Sequence, residues 1–450
     1  MNTRILAAGF ALSMASIAAQ AQCTGGQVDA TFGVGGYAPA GPLMTVLATA
    51  QNSGGPEGLN VTSTGQLLVP TAGAADADGT SVNVVNALTK NGAWDVSWGG
   101  TGTVAPVGHG VISSNVTSVL DSAGNLLYVS TSNGVDVKVN RITPGSLIDT
   151  TYGTGGVATV PLTSVFPILG ATTQPDGSLL IVTSATFTDS RQHAVIAKLT
   201  ATGLLDTSFG TGGFLYLTPP LTTGAPSTQS RGTDLIYQTD GKILVLARAR
   251  IPGSVNWQTI LTRLNTNGSI DTSFGTAGFS ALAPFGPDVN HFGRKMMVQT
   301  NNGRIVIAGS GFNVVNGGSG MFVMRASTTG KIDTTYGNGG ANYVASENGT
   351  SGFHMTLQNN NKAVVSGIWY TTADQTTTQG LLARFGIDGQ LDTTFGTGGL
   401  VKFTPTGTTD AAGSKVLYVG TKIAVVTNAG NGTAYRNYVA QFQSGTGACH

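Results

Sequence analysis

Five histidines, His109, His193, His291, His354 and His450, are the side chains best suited to proton transfer or metal ligation near neutral pH. Their spacing builds neither HxH nor HExxH, so a zinc centre is not indicated. Asp76-Ala77-Asp78-Gly79 resembles the opening of a calcium loop, but the later ligands and the closing Glu are missing. There is no Gly-x-Ser-x-Gly elbow, no phosphate-binding loop and no Cys–His pair. Gly-x-Gly matches carry no information in a chain with 66 glycines in 450 residues. No catalytic residue, metal or cofactor is therefore assigned. Binding chemistry remains. Trp257, Trp369 and Tyr370 offer flat amphipathic faces for sugar stacking or protein anchoring. Arg191, Arg231 and Arg294 offer charge, and His193, His291 and His354 offer polar contacts. All nine are expected in or beside connecting loops.

The elements that carry these loops come from a repeat. The phrase Leu391-Asp392-Thr393-Thr394-Phe395-Gly396-Thr397-Gly398-Gly399 recurs about every 60 residues. Its aspartates are Asp29, Asp95, Asp149, Asp206, Asp271, Asp333 and Asp392. Its aromatics are Phe32, Trp98, Tyr152, Phe209, Phe274, Tyr336 and Phe395. Between phrases lie strand-like runs bounded by Asp-Gly or Gly-Gly turns, as in Asp234–Gln238, Lys242–Ala249, Thr259–Asn265 and Gly278–Leu282. Four strands per unit is the pattern of a propeller blade. The chain begins near one phrase and ends just after a third strand, Asn437–Phe442. The units therefore close if the N-terminal strand completes the last sheet, which a solenoid with two polar caps would not need. The expected fold is all-β: a seven-bladed propeller of four-stranded antiparallel blades over residues 22–450, with almost no helix.

Each phrase reads structurally. Asp before Thr makes an Asx-type turn, the aromatic three positions on plugs the gap between sheets, and the glycines take positive φ. Eight residues before five of the aspartates sits a base, Arg141, Lys198, Arg263, Arg325 or Arg384, which predicts one ion pair per blade. Ala87 and Gln441 break that pattern. The fixed-length phrases are turns between strands one and two or three and four. The length variation falls in the 2–3 and 4–1 loops at the opposite end, and loops on a rigid scaffold carry function.

Met1-Asn2-Thr3-Arg4 followed by apolar Ile5–Ala19 and Ala19-Gln20-Ala21 fits a cleaved signal peptide over residues 1–21. The chain is then exported, to the periplasm, cell surface or medium, with no transmembrane segment in the mature part. Cys23 and Cys449 sit at matching offsets in the first and last units, so a disulfide at the seam is expected. A lipid on Cys23 is the alternative, against which Gln22, not a small residue, precedes it.

The Asp-Thr-Thr/Ser-Phe/Tyr-Gly-x-Gly-Gly phrase, with the Gln-x-Asp-Gly turn at Gln174 and Gln238 and a degenerate copy at Gln299, resembles the delta-60 repeat of secreted bacterial proteins. The resemblance implies propeller-forming modules and an exported address, and no particular chemistry. Copy two departs from it: Trp98 replaces Phe or Tyr, and its glycines are shifted.

Lys plus Arg, 22, nearly cancels Asp plus Glu, 21, and no basic run exists, so nucleic acid is excluded as a partner. The chain reads as a monomeric, non-catalytic propeller that binds a glycan, an envelope component or a protein through its loop-rich face. A polysaccharide lyase or hydrolase with its site over the axial channel is the alternative, and a structural spacer the third. A hydrolase needs two carboxylates about 5–10 Å apart. The acids expected on the loop face, Glu57, Asp189, Asp288, Glu347, Asp374 and Asp410, come from different units.

Overall fold

The computed structural model describes residues 25–40, 44–45, 58–75, 81–109, 116–132, 136–162, 170–186, 191–219, 227–250, 256–286, 289–315, 318–431 and 434–445. Signal segment 1–21, Cys23, Cys449, His450, Glu57, Asp189, Asp288 and the Asp76–Gly79 stretch lie outside these.

Seven antiparallel sheets follow one another along the chain, and no helix occurs among the described residues. Blade 4 is representative, with strands Ser230–Tyr237, Ile243–Arg250, Trp257–Leu264 and Phe279–Leu282 in sequential order. In blade 7 the order is Asp410–Val419, Lys422–Gly430, Ala434–Gln443 and then Tyr37–Pro39 from the N-terminal region. Tyr37 pairs with Ala440 and Pro39 with Tyr438, so the N-terminal strand is outermost in the last blade and closes the ring.

Inner strands read as almost continuous apolar runs because each sheet is buried on both faces, and alternation sends successive residues to opposite neighbours. Leu179 and Ile181 pack toward blade 2, Leu180 and Val182 toward blade 4. The result is seven principal clusters, one per gap between blades, and each contains one phrase aromatic. Phe395, for example, fills the gap between blades 6 and 7 with Leu382, Val416 and Phe442.

The phrase aspartate organises the turn beneath that ring. One carboxylate oxygen accepts the hydroxyl two residues on, at 2.5 to 2.7 Å in all seven copies. The other oxygen takes the base eight residues upstream: Arg141–Asp149, Lys198–Asp206, Arg263–Asp271, Arg325–Asp333 and Arg384–Asp392 all pair within 3.0 Å. The two copies lacking that base are served instead by the residue after the first hairpin turn, Gln66 on Asp95 and Lys422 on Asp29. Four of the arginines also lie 4.4 to 4.7 Å over their phrase ring. Each of these reaches a backbone carbonyl of the following blade, as Arg325 Nη1 does to Ile387 O at 2.7 Å. The following turn can press against the ring only where it has no side chain. A Cβ on Gly389, at φ +82°, would stand 2.7 Å from the Tyr336 ring.

Copy two solves its irregular glycines locally. Positive φ moves from the third to the second position after the aromatic, at Gly100, while Gly102 N–H still donates to Trp98 O at 2.7 Å. Trp98 stays in the core between blades 1 and 2.

Phe395→Ala removes a fully buried ring and is expected to cost about 3–5 kcal/mol, read by denaturant unfolding. An unchanged midpoint would mean the gap between blades does not depend on the ring.

Acid should act in two stages. Burial pushes His109 and His291 down to about 4. Protons therefore favour the unfolded chain as pH falls from about 6.5 toward 4, and stability declines through that window. Asp271 is held far below the usual carboxylate range by its bond from Lys242, then by Ser273 and Arg263. Asp392 is held there too: burial alone would raise it, but the Lys362, Thr394 and Arg384 interactions outweigh that. Their stabilisation is complete above about pH 4 and is lost as pH falls further. Melting temperatures from pH 8 to 3 should be flat, then decline below about 6.5, then fall more steeply below about 4. A flat profile down to pH 3 would contradict the ion-pair account.

Candidate functional site

The innermost strands of the blades converge on the axis. In four of them a glycine permits the approach: Gly232, Gly293, Gly352 and Gly413. A Cβ on Gly232 would sit 2.8 Å from Thr183 O of blade 3, and one on Gly352 2.6 Å from Gly309 O of blade 5. Immediately after each glycine the ladder slips by a β-bulge, between Gly232 and Asp234, Gly293 and Lys295, Gly352 and His354, and Gly413 and Val416. A bulge re-aims side chains that simple alternation would bury between sheets. Here it presents Thr233–Asp234, Arg294–Lys295, Phe353–His354 and Ser414–Lys415 to an axial cavity of about 120 Å³, room for several waters. Blades 2 and 3 contribute the small Thr117–Ser118 and Gly170–Ala171 at the same height, and Arg248 and Phe292 complete the wall toward the loop-rich end.

The charge of this wall is lopsided. Arg248, Arg294, Lys295 and Lys415 face one lining carboxylate, Asp234. Asp234 is already engaged. It pairs with Lys295 Nζ at 2.8 Å and accepts the Met296 N–H at 2.9 Å. Lys415 Nζ donates to Ser118 O at 3.4 Å across the channel. Arg248 stacks 4.6 Å over Phe292 and 5.1 Å over Trp257, and Arg294 stacks 5.3 Å over Phe353. Burial lowers Arg248 to about 9, with Arg231 and Arg294 adding repulsion of like sign, so it is charged at neutral pH. His354 is driven well below the usual imidazole value by burial and then by Lys295 and Lys415, and is neutral at pH 7. Its Nδ1 accepts the Val416 N–H at 3.5 Å, which leaves the proton of the neutral ring on Nε2 as a donor.

Of the residues expected on the loop face, Arg294 and His354 line this cavity and lie inside innermost strands rather than loops. Arg231 is likewise in a strand; its guanidinium covers Trp257 at 5.1 Å and its Nε donates to Gln192 Oε1 at 2.6 Å. His291 is fully buried, its Nδ1 2.9 Å from Thr259 Oγ1 and its ring edge-on to Phe322. His193 is buried in the third strand of blade 3. Trp369 sits in blade 6 under Lys402, whose Nζ is 3.3 Å from the ring centroid, and neither it, Tyr370 nor Arg191 lines the cavity. Asp410 accepts the Thr378 N–H and does not line the cavity. Sequence reading missed Arg248, Lys295, Lys415 and Asp234. The signal was present: aligned on the first hairpin turn, Asp234, Lys295 and His354 occupy one repeat position, two residues after a glycine. Among the described residues, no three His, Cys, Asp or Glu side chains are grouped to hold a metal ion.

Residues 174–209, 238–274 and 300–336 match the family described as "Domain of unknown function (DUF5122) beta-propeller". Each matched segment runs from at or beside a first-hairpin turn to a phrase aromatic. The chain is a repeat-built β-propeller. None of the curated proteins matches it by sequence. Among solved structures it is similar to the polysaccharide lyase Uly1, at TM-score 0.51 and 10% identity over 91% of this chain and 98% of that one. It is also similar to a PL25 ulvan lyase bound to -[GlcA(1-4)Rha3S]-, at TM-score 0.50 and 12% identity over 91% and 95%. At such identities the likeness is one of fold.

Proposed function

We propose that this propeller binds an acidic glycan, one bearing carboxylate or sulfate groups, at its axial cavity and does so without catalysis. The observation that carries the reading is the ring of four cations around one already paired carboxylate. Guanidinium and ammonium groups make charge-assisted hydrogen bonds to carboxylate and sulfate oxygens, and a low-dielectric channel strengthens them. His354 adds a neutral N–H donor. Among the described lining residues the carboxylate pair of a hydrolase is missing, since Asp234 stands alone.

A lyase is the second reading, favoured by the two polysaccharide lyases of similar fold and by the histidine near two lysines. Such an enzyme takes the proton beside a uronate carboxylate, breaks the adjacent C–O bond and leaves a C=C bond, with the departing oxygen protonated. It needs an acceptor for that proton, and the His354 tautomer here presents a donor.

The address belongs to the same proposal: an exported delta-60-type repeat protein, residues 1–21 removed, residues 22–450 forming the propeller, and Cys23 bonded to Cys449. Support comes from the seam, where a Cβ on Gly445 would lie 2.9 Å from the Gly25 Cα. Peptide mapping of exported protein without reductant should recover the Cys23–Cys449 link. Two alkylatable thiols, or a lipid on Cys23, would refute it.

Calorimetric titration with polygalacturonate, carrageenan and neutral dextran tests the binding. At least one acidic polymer should bind, more weakly as salt rises, and dextran should not. Arg294→Ala should lower that affinity by roughly ten- to a hundredfold, the worth of one charge-assisted bond of about 1.5–3 kcal/mol. Binding that ignores charge and salt would sink the proposal. Appearance of an ultraviolet-absorbing unsaturated uronate would establish the lyase reading instead.

A further inference from the structure

Arg248 joins the axial cavity to a second group of cations. This residue lines the axial wall and also lies over Trp257, whose ring is covered by Arg231 at the same 5.1 Å. Arg231 and Arg248 are direct cross-strand partners in blade 4, an arrangement in which like charges repel. Arg250 follows two residues on, paired with Trp257 across the next ladder, and its charge acts on Arg231. Arg294 precedes them in the series, from the neighbouring blade. A row of four arginines thus runs from the axis toward the loop end of blade 4. Stacking on Trp257 and Phe292 orients the planes of its middle members without neutralising them. The buried Nε–H of Arg248 has no hydrogen-bond acceptor, which marks the point where one is missing.

We infer that Arg248 and Arg231, held on Trp257, form with Arg250 a second anion subsite continuous with the axial cavity, so that the ligand is a linear polyanion carrying at least two charged groups. This rests on the reading of the axial cavity as an anion site. A single small anion occupies the axis alone, and a chain of several charged sugars extends from it over blade 4. Linking two such contacts through one chain makes the second effectively intramolecular and raises affinity without any new kind of contact.

The experiment compares inorganic sulfate with heparin-derived di-, tetra- and hexasaccharides, by calorimetry on the whole mature protein. In the wild type, affinity should rise at least tenfold from disaccharide to hexasaccharide. In the Arg231→Gln/Arg250→Gln protein that rise should vanish, while sulfate affinity changes less than twofold. In Lys415→Met, sulfate binding itself should be lost. Single Arg250→Gln serves should the double variant fold poorly, and should remove part of the rise. If sulfate binds and responds to Lys415→Met but length brings no gain, or if the gain survives the double substitution, the second subsite is wrong and the axial site stands. If neither sulfate nor any oligosaccharide binds, both readings fall.

Discussion

One buried aromatic ring in each gap between blades, with an aspartate and a base locked beneath it, holds this ring of sheets together. A four-stranded sheet buried on both faces cannot satisfy itself alone; it needs a neighbour on each side. The phrase supplies the means. The carboxylate of Asp392 fixes its own turn through the Thr394 hydroxyl and draws Arg384 across the Phe395 ring. Arg384 then reaches Ser444 O in the next blade. Both charges are more than nine-tenths buried, so removing either would strand the other in a low-dielectric site. Their value lies in fixing one geometry as much as in net energy, because the same links recur around the ring and leave one way to close it. Closure is completed by Tyr37–Pro39 beside the last strand and by Gly25 bridging to Phe395.

This division of labour decides where chemistry can reside. The end carrying the phrases is spent on stitching: its aspartates, cations and glycines are all committed to turns and to the adjacent blade. At the axis the requirement is different. Sheets that taper inward meet backbone to backbone, so the innermost strands need glycine, and the bulge that follows each glycine frees two side chains from the packing. Those freed positions differ between blades. They read Thr-Asp, Arg-Lys, Phe-His and Ser-Lys in blades 4 to 7, while the lining residues of the unbulged blades 2 and 3 are small. A repetitive scaffold thereby acquires one asymmetric, cationic cavity.

The architecture was legible in the sequence because it is written seven times. The phrase, the base eight residues before its aspartate and the half-units at each end determine blade number, turn position and closure, and even the two copies without that base find a substitute donor in Gln66 and Lys422. The site was much less legible. Arg231, Arg294 and His354, expected in or beside loops, lie in strands whose alternation is interrupted by a glycine and a bulge. The three-dimensional register restores them to strands and puts Lys295 and Lys415 beside them. His291, likewise expected in or beside a loop, is instead sealed against Phe285 and Phe322. Which of two polar residues in an inner strand faces the axis is a matter of one bulge, and the sequence marks it only by the glycine and by the repeat position that Asp234, Lys295 and His354 share.

Four cations converging where the phrases cannot reach give the molecule its most specific chemical feature, and the acidic-glycan reading stands or falls on it. The most direct test is a crystal of the mature protein soaked in selenate, an anomalously scattering stand-in for a sulfate group. The account predicts a selenium peak in the axial cavity within hydrogen-bonding reach of Arg294, Lys415 and Arg248. Peaks confined to the phrase rim or the outer surface, with water alone between those side chains, would contradict it.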